Sequence, residues 1–135
     1  MYKIPMKIRV EDIKDAFSSR NVIDLSESDA AFVELACSLV SLRDCDQLNV
    51  LPALMISLLE DESLGSVGNY ADMIIATLVP QPKGWSNLID SMIPCEVSAV
   101  LEWLKFVKRY PFAETCSNEL ERATDFYESR SINHN

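Results

Sequence analysis

Between Leu48 and Asp61 the chain reads Leu-Asn-Val-Leu-Pro-Ala-Leu-Met-Ile-Ser-Leu-Leu-Glu-Asp. Leu51, Leu54, Met55, Leu58 and Leu59 fall at i, i+3, i+4, i+7 and i+8, the spacing that lines one side of an α-helix. No glycine interrupts the run. A stripe this apolar must be covered, so the remaining segments have to pack around it. Pro52 has no N–H to donate, and a helix accommodates that in its first turn. The pattern therefore predicts a central helix over Val50–Glu62.

The neighbouring segments repeat the same period. Val10, Ile13 and Phe17 share a face, which predicts a first helix over Val10–Ser19. Glu11 and Asp12 open it, where the helix dipole favours anions. Ser26-Glu27-Ser28-Asp29 is a variant capping box and predicts the start of a second helix. Phe32, Leu35, Ala36, Leu39 and Val40 then carry its stripe. Asp44 and Asp46 are expected at its end. Gly65 and Gly68 bracket a loop before a helix over Tyr70–Leu78, capped by Asn69 and stopped by Pro80 and Pro82. A short helix is expected over Ser86–Met92, with Trp85, Leu88, Ile89, Met92 and Ile93 on one side. Pro94 is placed to be the first residue of the next helix, which should run to about Arg109. Val97, Val100, Leu101, Leu104 and Val107 form one of its stripes, and Trp103, Phe106 and Tyr110 a second. A last helix is expected over Ser117–Ser129, with Leu120, Ala123, Thr124 and Tyr127 inward. Only at the N-terminus does the period change. Ile4, Met6, Ile8 and Val10 alternate, which suggests an extended arm.

The expected fold class is all-α: a compact bundle of about six or seven short helices, with a short extended N-terminal arm. The 135 residues suit a single helical domain, 1–135, in which 1–9 form the arm and 130–135 a frayed tail. No apolar run approaches the roughly 20 residues that span a bilayer, and no signal segment is visible, so a cytoplasmic protein with no membrane partner is expected. Cys37, Cys45, Cys95 and Cys116 have no metal-ligand spacing and are expected as free, mostly buried thiols.

Charge is the informative remainder. The chain holds 21 acidic and 12 basic side chains, a formal net charge of −9. That balance opposes nucleic-acid binding, which needs Lys and Arg at each phosphate. Residues 21–80 contain ten acidic groups and one basic group, Arg43, whereas residues 1–20 sum to +2 and residues 81–135 to −2. Within the acidic stretch, Asp44 with Asp46 and Glu60-Asp61-Glu62 are the two clusters. Both are expected near helix C-termini, where the dipole disfavours negative charge. Asp44, Asp46, Glu60, Asp61, Glu62 and Asp72 are therefore the candidate partner-binding residues. Their chemistry fits a basic protein partner reached by electrostatic steering.

Catalytic constellations are absent from the sequence. The single histidine, His134, is next to last. Asp44-x-Asp46 begins like a calcium loop but continues with Leu48. Gly65-Ser-Val-Gly68 lacks the lysine of a phosphate loop. Glu96 and Glu102 are expected as ordinary helix surface. Neither an enzyme nor a bound cofactor or metal is expected.

The Leu48–Asp61 segment resembles one in a bacterial family of small acidic helical domains of unknown function, in which Leu-Pro-Ala leads into an apolar helix ending in acids. Ile93-Pro-Cys-Glu-Val-Ser-Ala-Val-Leu-Glu-Trp-Leu-Lys-Phe-Val107 is similar to its next helix, and Glu119-Leu-Glu-Arg-Ala-Thr-Asp-Phe-Tyr127 to its aromatic tail. Where that family has aromatic residues before Leu-Pro-Ala, this chain has Leu48, Asn49 and Val50. The resemblance covers roughly residues 10–127 and implies a helical bundle without catalytic residues. The small, acidic, helical character is also similar to immunity proteins that neutralise bacterial toxins. The expected function is thus an immunity or antitoxin protein that neutralises a basic toxin or effector domain, as a monomer or homodimer. The alternative is an adaptor that self-associates through a partly exposed stripe of Trp103, Phe106 and Tyr110. A DNA mimic is a third reading.

Overall fold

The computed structural model describes residues 8–23, 38, 39, 42, 44–60, 71–109 and 116–133. These residues form α1 (Val10–Ala16), α2 (Asp44–Glu60), α3 (Ala71–Leu78), a 3₁₀ turn (Leu88–Ser91), α4 (Pro94–Val107) and α5 (Ser117–Asn133), with no strand among them. The fold class is all-α, as the apolar spacing predicts. Five α-helices are fewer than the six or seven expected. The second helix expected after Ser26 lies outside the described residues, apart from Ser38 and Leu39. Of the N-terminal arm, only Ile8 and Arg9 are described. Ile8 is buried, and Arg9 is extended as it enters α1.

The central helix is as apolar as expected but starts six residues earlier than its proline suggested. Pro52 sits inside α2, eight residues after its first. An interior proline forgoes one backbone hydrogen bond and costs about 3 kcal/mol. Burial opposes that cost. Leu48, Val50, Leu51, Ala53, Leu54, Met55, Leu58 and Leu59 are all buried, and Pro52 with them. Eight apolar side chains at about 1.5–3 kcal/mol for each large one outweigh a single missing bond. Tertiary burial therefore overrides the local preference of Pro52. Gln47 is buried in the added first turns, and its Nε2 donates to the Leu39 carbonyl at 2.9 Å.

The other helices pack on α2 directly or through one another. α1 packs on α2 and α4, α3 on α2 and α5, and the most extensive pair is α4 with α5. Both stripes of α4 are buried: Val97, Val100, Leu101, Leu104 and Val107 on one, Trp103 and Phe106 on the other. Tyr110 lies outside the described residues. The Trp103 indole N–H donates to the Met55 carbonyl at 3.2 Å, so the largest core side chain is also hydrogen-bonded to the central helix. α4 begins at Pro94, as the sequence predicts.

The expected Ser86–Met92 helix is instead a four-residue 3₁₀ turn. Pro94 restricts Ile93 to extended backbone, and Met92 is extended as well. Upstream, Pro80, Pro82 and a positive-φ Gly84 (φ 96°) occupy the chain with a turn closed by Trp85 N–H to Pro82 O, 3.0 Å. The turn at one end and the extended Met92–Ile93 at the other confine the helical residues to Leu88–Ser91. Trp85 and Ile93 consequently leave the shared apolar face and are 71% and 43% exposed, while Leu88, Ile89 and Met92 stay buried.

α5 continues to Asn133, beyond the expected end at Ser129 and through most of the residues expected to fray. Arg130 accounts for the extension. Its guanidinium donates to Asp90 at 2.7 Å and lies 5.5 Å from the centre of the Phe126 ring. Tyr127, one turn earlier, is buried, and burial pushes its phenol well above the usual range near pH 10. The folded state thus holds the proton more tightly than the unfolded chain. Stability should be unaffected by this group below about pH 10 and should fall as pH rises beyond it. Alkaline denaturation followed by circular dichroism should show this loss, and Tyr127→Phe should reduce it.

Candidate functional site

The expected acidic face divides when placed on the helices. Asp44 and Asp46 are the first and third residues of α2, not the end of a preceding helix. Asp72 lies in the first turn of α3. At these N-termini the helix dipole favours anions, so the carboxylates of Asp46 and Asp72 stabilise the helices that carry them. Asp46 and Asp72 are exposed. Glu60 closes α2, and Asp61 and Glu62 lie outside the described residues. Asp46 and Glu60 are 14 residues apart on one helix, which separates them by about 21 Å along its axis. Within α2 the acids therefore mark two ends rather than one patch.

A different set of carboxylates comes together between α1 and α4. Ile8, Asp12, Asp15 and Ala16 from the α1 side, with Cys95, Ser98, Ala99 and Glu102 from α4, line an open groove of about 660 Å³. Its origin is local. On α4, Cys95, Ser98, Ala99 and Glu102 fall at i, i+3, i+4 and i+7, a third face between the two apolar stripes. Three of these four side chains are small, so nothing from α4 fills the space beside α1. Ile8 and Ala99 are buried in the floor. The Cys95 thiol donates to the Ala16 carbonyl at 3.3 Å and joins the two helices.

Asp12, Asp15 and Glu102 make the groove acidic. Asp12 accepts the Arg9 backbone N–H at 2.9 Å and pairs with the Arg9 guanidinium at 3.3 Å. The backbone bond first, and the guanidinium second, hold its carboxyl below the ordinary aspartate range. Glu102 has a loose pair with Lys105 at 3.8 Å, with both side chains about half exposed. Asp15 is exposed and makes no ion pair among the described residues. Asp15 and the loosely paired Glu102 are thus the carboxylates left to meet a further cation.

A largely buried ion pair ties the start of α4 to the chain just after α1. Glu96, expected at the surface, is fully buried. Arg20 grips it with two bonds, Nε to Oε2 and Nη2 to Oε1, both 2.8 Å. The same Nη2 donates to the Ser91 carbonyl at 2.7 Å. Glu96 Oε1 also accepts the Ile93 backbone N–H at 2.9 Å, which caps α4. A bidentate, charge-assisted pair of this kind fixes angle as well as distance. It anchors the chain just after α1 to the start of α4.

Cys116 is buried beside Asp72 and Glu119, and burial first, then those charges, push its thiol up, away from the reactive thiolate. Cys95 is exposed, contrary to the expectation of mostly buried thiols. Cys37 lies outside the described residues, as does the side chain of Cys45. Among the described residues no group of His, Cys, Asp and Glu is placed to hold a metal ion. None of the described helices is long and apolar enough to cross a membrane.

The groove was missed in the sequence because counting charge by segment assigns residues 1–20 a positive sum. The available signal was the small-residue spacing at 95, 98 and 99, followed by Glu102. The comparisons add no family: no protein-family model, curated protein or solved structure matches this chain.

Proposed function

We propose that this protein is an acidic protein-binding module, most concretely an immunity or antitoxin protein that neutralises a basic toxin or effector domain. The supporting observation is the segregated charge. Residues 21–80 hold ten acidic groups against one basic group and account numerically for the whole net charge of −9. Their exposed members, such as Asp46 and Asp72, are free of a structural duty to fill the core. A surface of one sign accelerates encounter with a partner of the other and weakens as salt screens it.

The test begins with co-expression beside the product of the adjacent gene and measurement of the complex at rising salt. Affinity should fall with ionic strength. Reversal of Asp44, Asp46, Glu60 and Asp61 to lysine should weaken binding by about tenfold or more, roughly the effect of losing several exposed charge pairs. Unchanged affinity in that variant would remove these four acids from the function. The self-associating adaptor has less support, because the Trp103 and Phe106 side chains that would form its face are buried.

A further inference from the structure

We infer that the groove between α1 and α4 is the docking site for a basic amphipathic helix of the partner. This rests on the reading of the protein as a binder of basic proteins, and it adds where the partner sits and in what form. Three features select the occupant. The floor is apolar, made by Ile8, Ala16 and Ala99, and it offers no cation to an acidic ligand. Asp12, Asp15 and Glu102 supply carboxylates in the same groove. The walls are two helices that already pack on each other, and a third helix laid between them would bury the floor. The volume, about 660 Å³, lies within the range of concave binding sites.

The small side chains of α4 give this docking its specificity. Ser98 is exposed and Ala99 buried, so the backbone of α4 lies close to the groove surface. Apolar anchors on one face of the incoming helix would rest there. Lysines or arginines at the edges of that face would meet Asp15 and Glu102, which are the less strongly held carboxylates. Asp12 is already engaged by Arg9 and contributes less. The Arg20–Glu96 pair, outside the groove lining, ties the start of α4 to the chain just after α1.

The probe is a synthetic 18-residue amphipathic helix with leucine on one face and arginine on its borders, titrated into the full chain by calorimetry. Ser98→Trp places an indole in the groove from an exposed position, and Asp15→Lys with Glu102→Lys reverses its charge. Each change should weaken peptide binding at least tenfold while leaving the thermal transition in place. Glu121→Lys with Glu128→Lys, an equal charge reversal at exposed positions of α5, should leave it within about twofold. Equal losses in both charge-reversal variants, with Ser98→Trp unaffected, would reduce binding to bulk charge and overturn the docking site. Loss only on reversal of Asp46 and Asp72 to lysine would overturn it while leaving the acidic-module reading intact. Absence of peptide binding to the wild-type chain would also overturn it, and the co-expression test would then decide the broader reading separately. Dimerisation of the protein that Ser98→Trp abolishes would give the groove to a second copy of this chain. Peptide binding seen only after removal of residues 1–7 would give it to the chain's own N-terminal segment. Either result overturns the inference.

Discussion

Arg20→Ala should destabilise the fold by about 3–5 kcal/mol, because it leaves the buried carboxylate of Glu96 without its counter-ion. Glu96 has no accessible surface, and its two oxygens are held by the Arg20 fork and the Ile93 backbone N–H. After the substitution the Ile93 bond remains, and one backbone donor does not replace a guanidinium. Glu96→Ala should also be costly. It removes the cap on α4 along with both bonds to Arg20, although the guanidinium keeps its bond to Ser91 and is 22% exposed. Replacing both partners by apolar residues of similar size, Arg20→Met with Glu96→Leu, should recover much of the loss, since no buried charge then remains. Urea denaturation of these proteins, with the Arg20→Ala, Glu96→Ala double variant added to close the cycle, gives the coupling energy. Single-variant losses below about 1 kcal/mol would place the pair among ordinary surface bridges and contradict the burial described here.

Trp103→Ala carries the other large effect, about 3–5 kcal/mol. Trp103 is fully buried on α4. Its indole bonds to the Met55 carbonyl, so truncation opens a cavity beside α2 and removes a buried donor. Trp103→Phe should cost less, because most of the apolar volume is kept while the N–H is lost. Net stabilities of small domains are about 5–15 kcal/mol, so the alanine variant should unfold at much lower denaturant. Fluorescence distinguishes the two tryptophans. Trp85 is 71% exposed, so Trp85→Phe should leave emission from a buried indole that shifts red only on unfolding. A red-shifted folded spectrum in that variant would show that Trp103 is not in the core.

These two positions also separate what could be read in advance from what could not. Trp103 lies on an apolar stripe at helical spacing, and that spacing is local, so its burial was legible. Glu96 sits two residues after Pro94 in the first turn of the same helix, where a carboxylate commonly faces solvent. Its burial depends on Arg20, 76 residues earlier, and no short-range pattern encodes a pairing over that distance. The candidate site divides in the same way. The concentration of acid in residues 21–80 is a property of composition. Whether those acids form one patch depends on which end of which helix they occupy, and Asp44 and Asp46 changed ends when α2 proved longer than Pro52 suggested.

By itself the sequence determined the helical class, the central apolar helix, the start of α4 at Pro94 and the inward face of α5. Each follows from side-chain period or from the missing N–H of proline, both acting within a few residues. Tertiary structure alone decided four other features: the passage of α2 through Pro52, the 3₁₀ turn that leaves Trp85 exposed, the buried Arg20–Glu96 pair and the acidic groove between α1 and α4. In each case the outcome rests on what distant segments bury or leave open. Apolar burial over a whole helix exceeds the cost of one absent hydrogen bond. The groove opens because the small side chains of α4 leave space beside a helix that lies far away in the sequence.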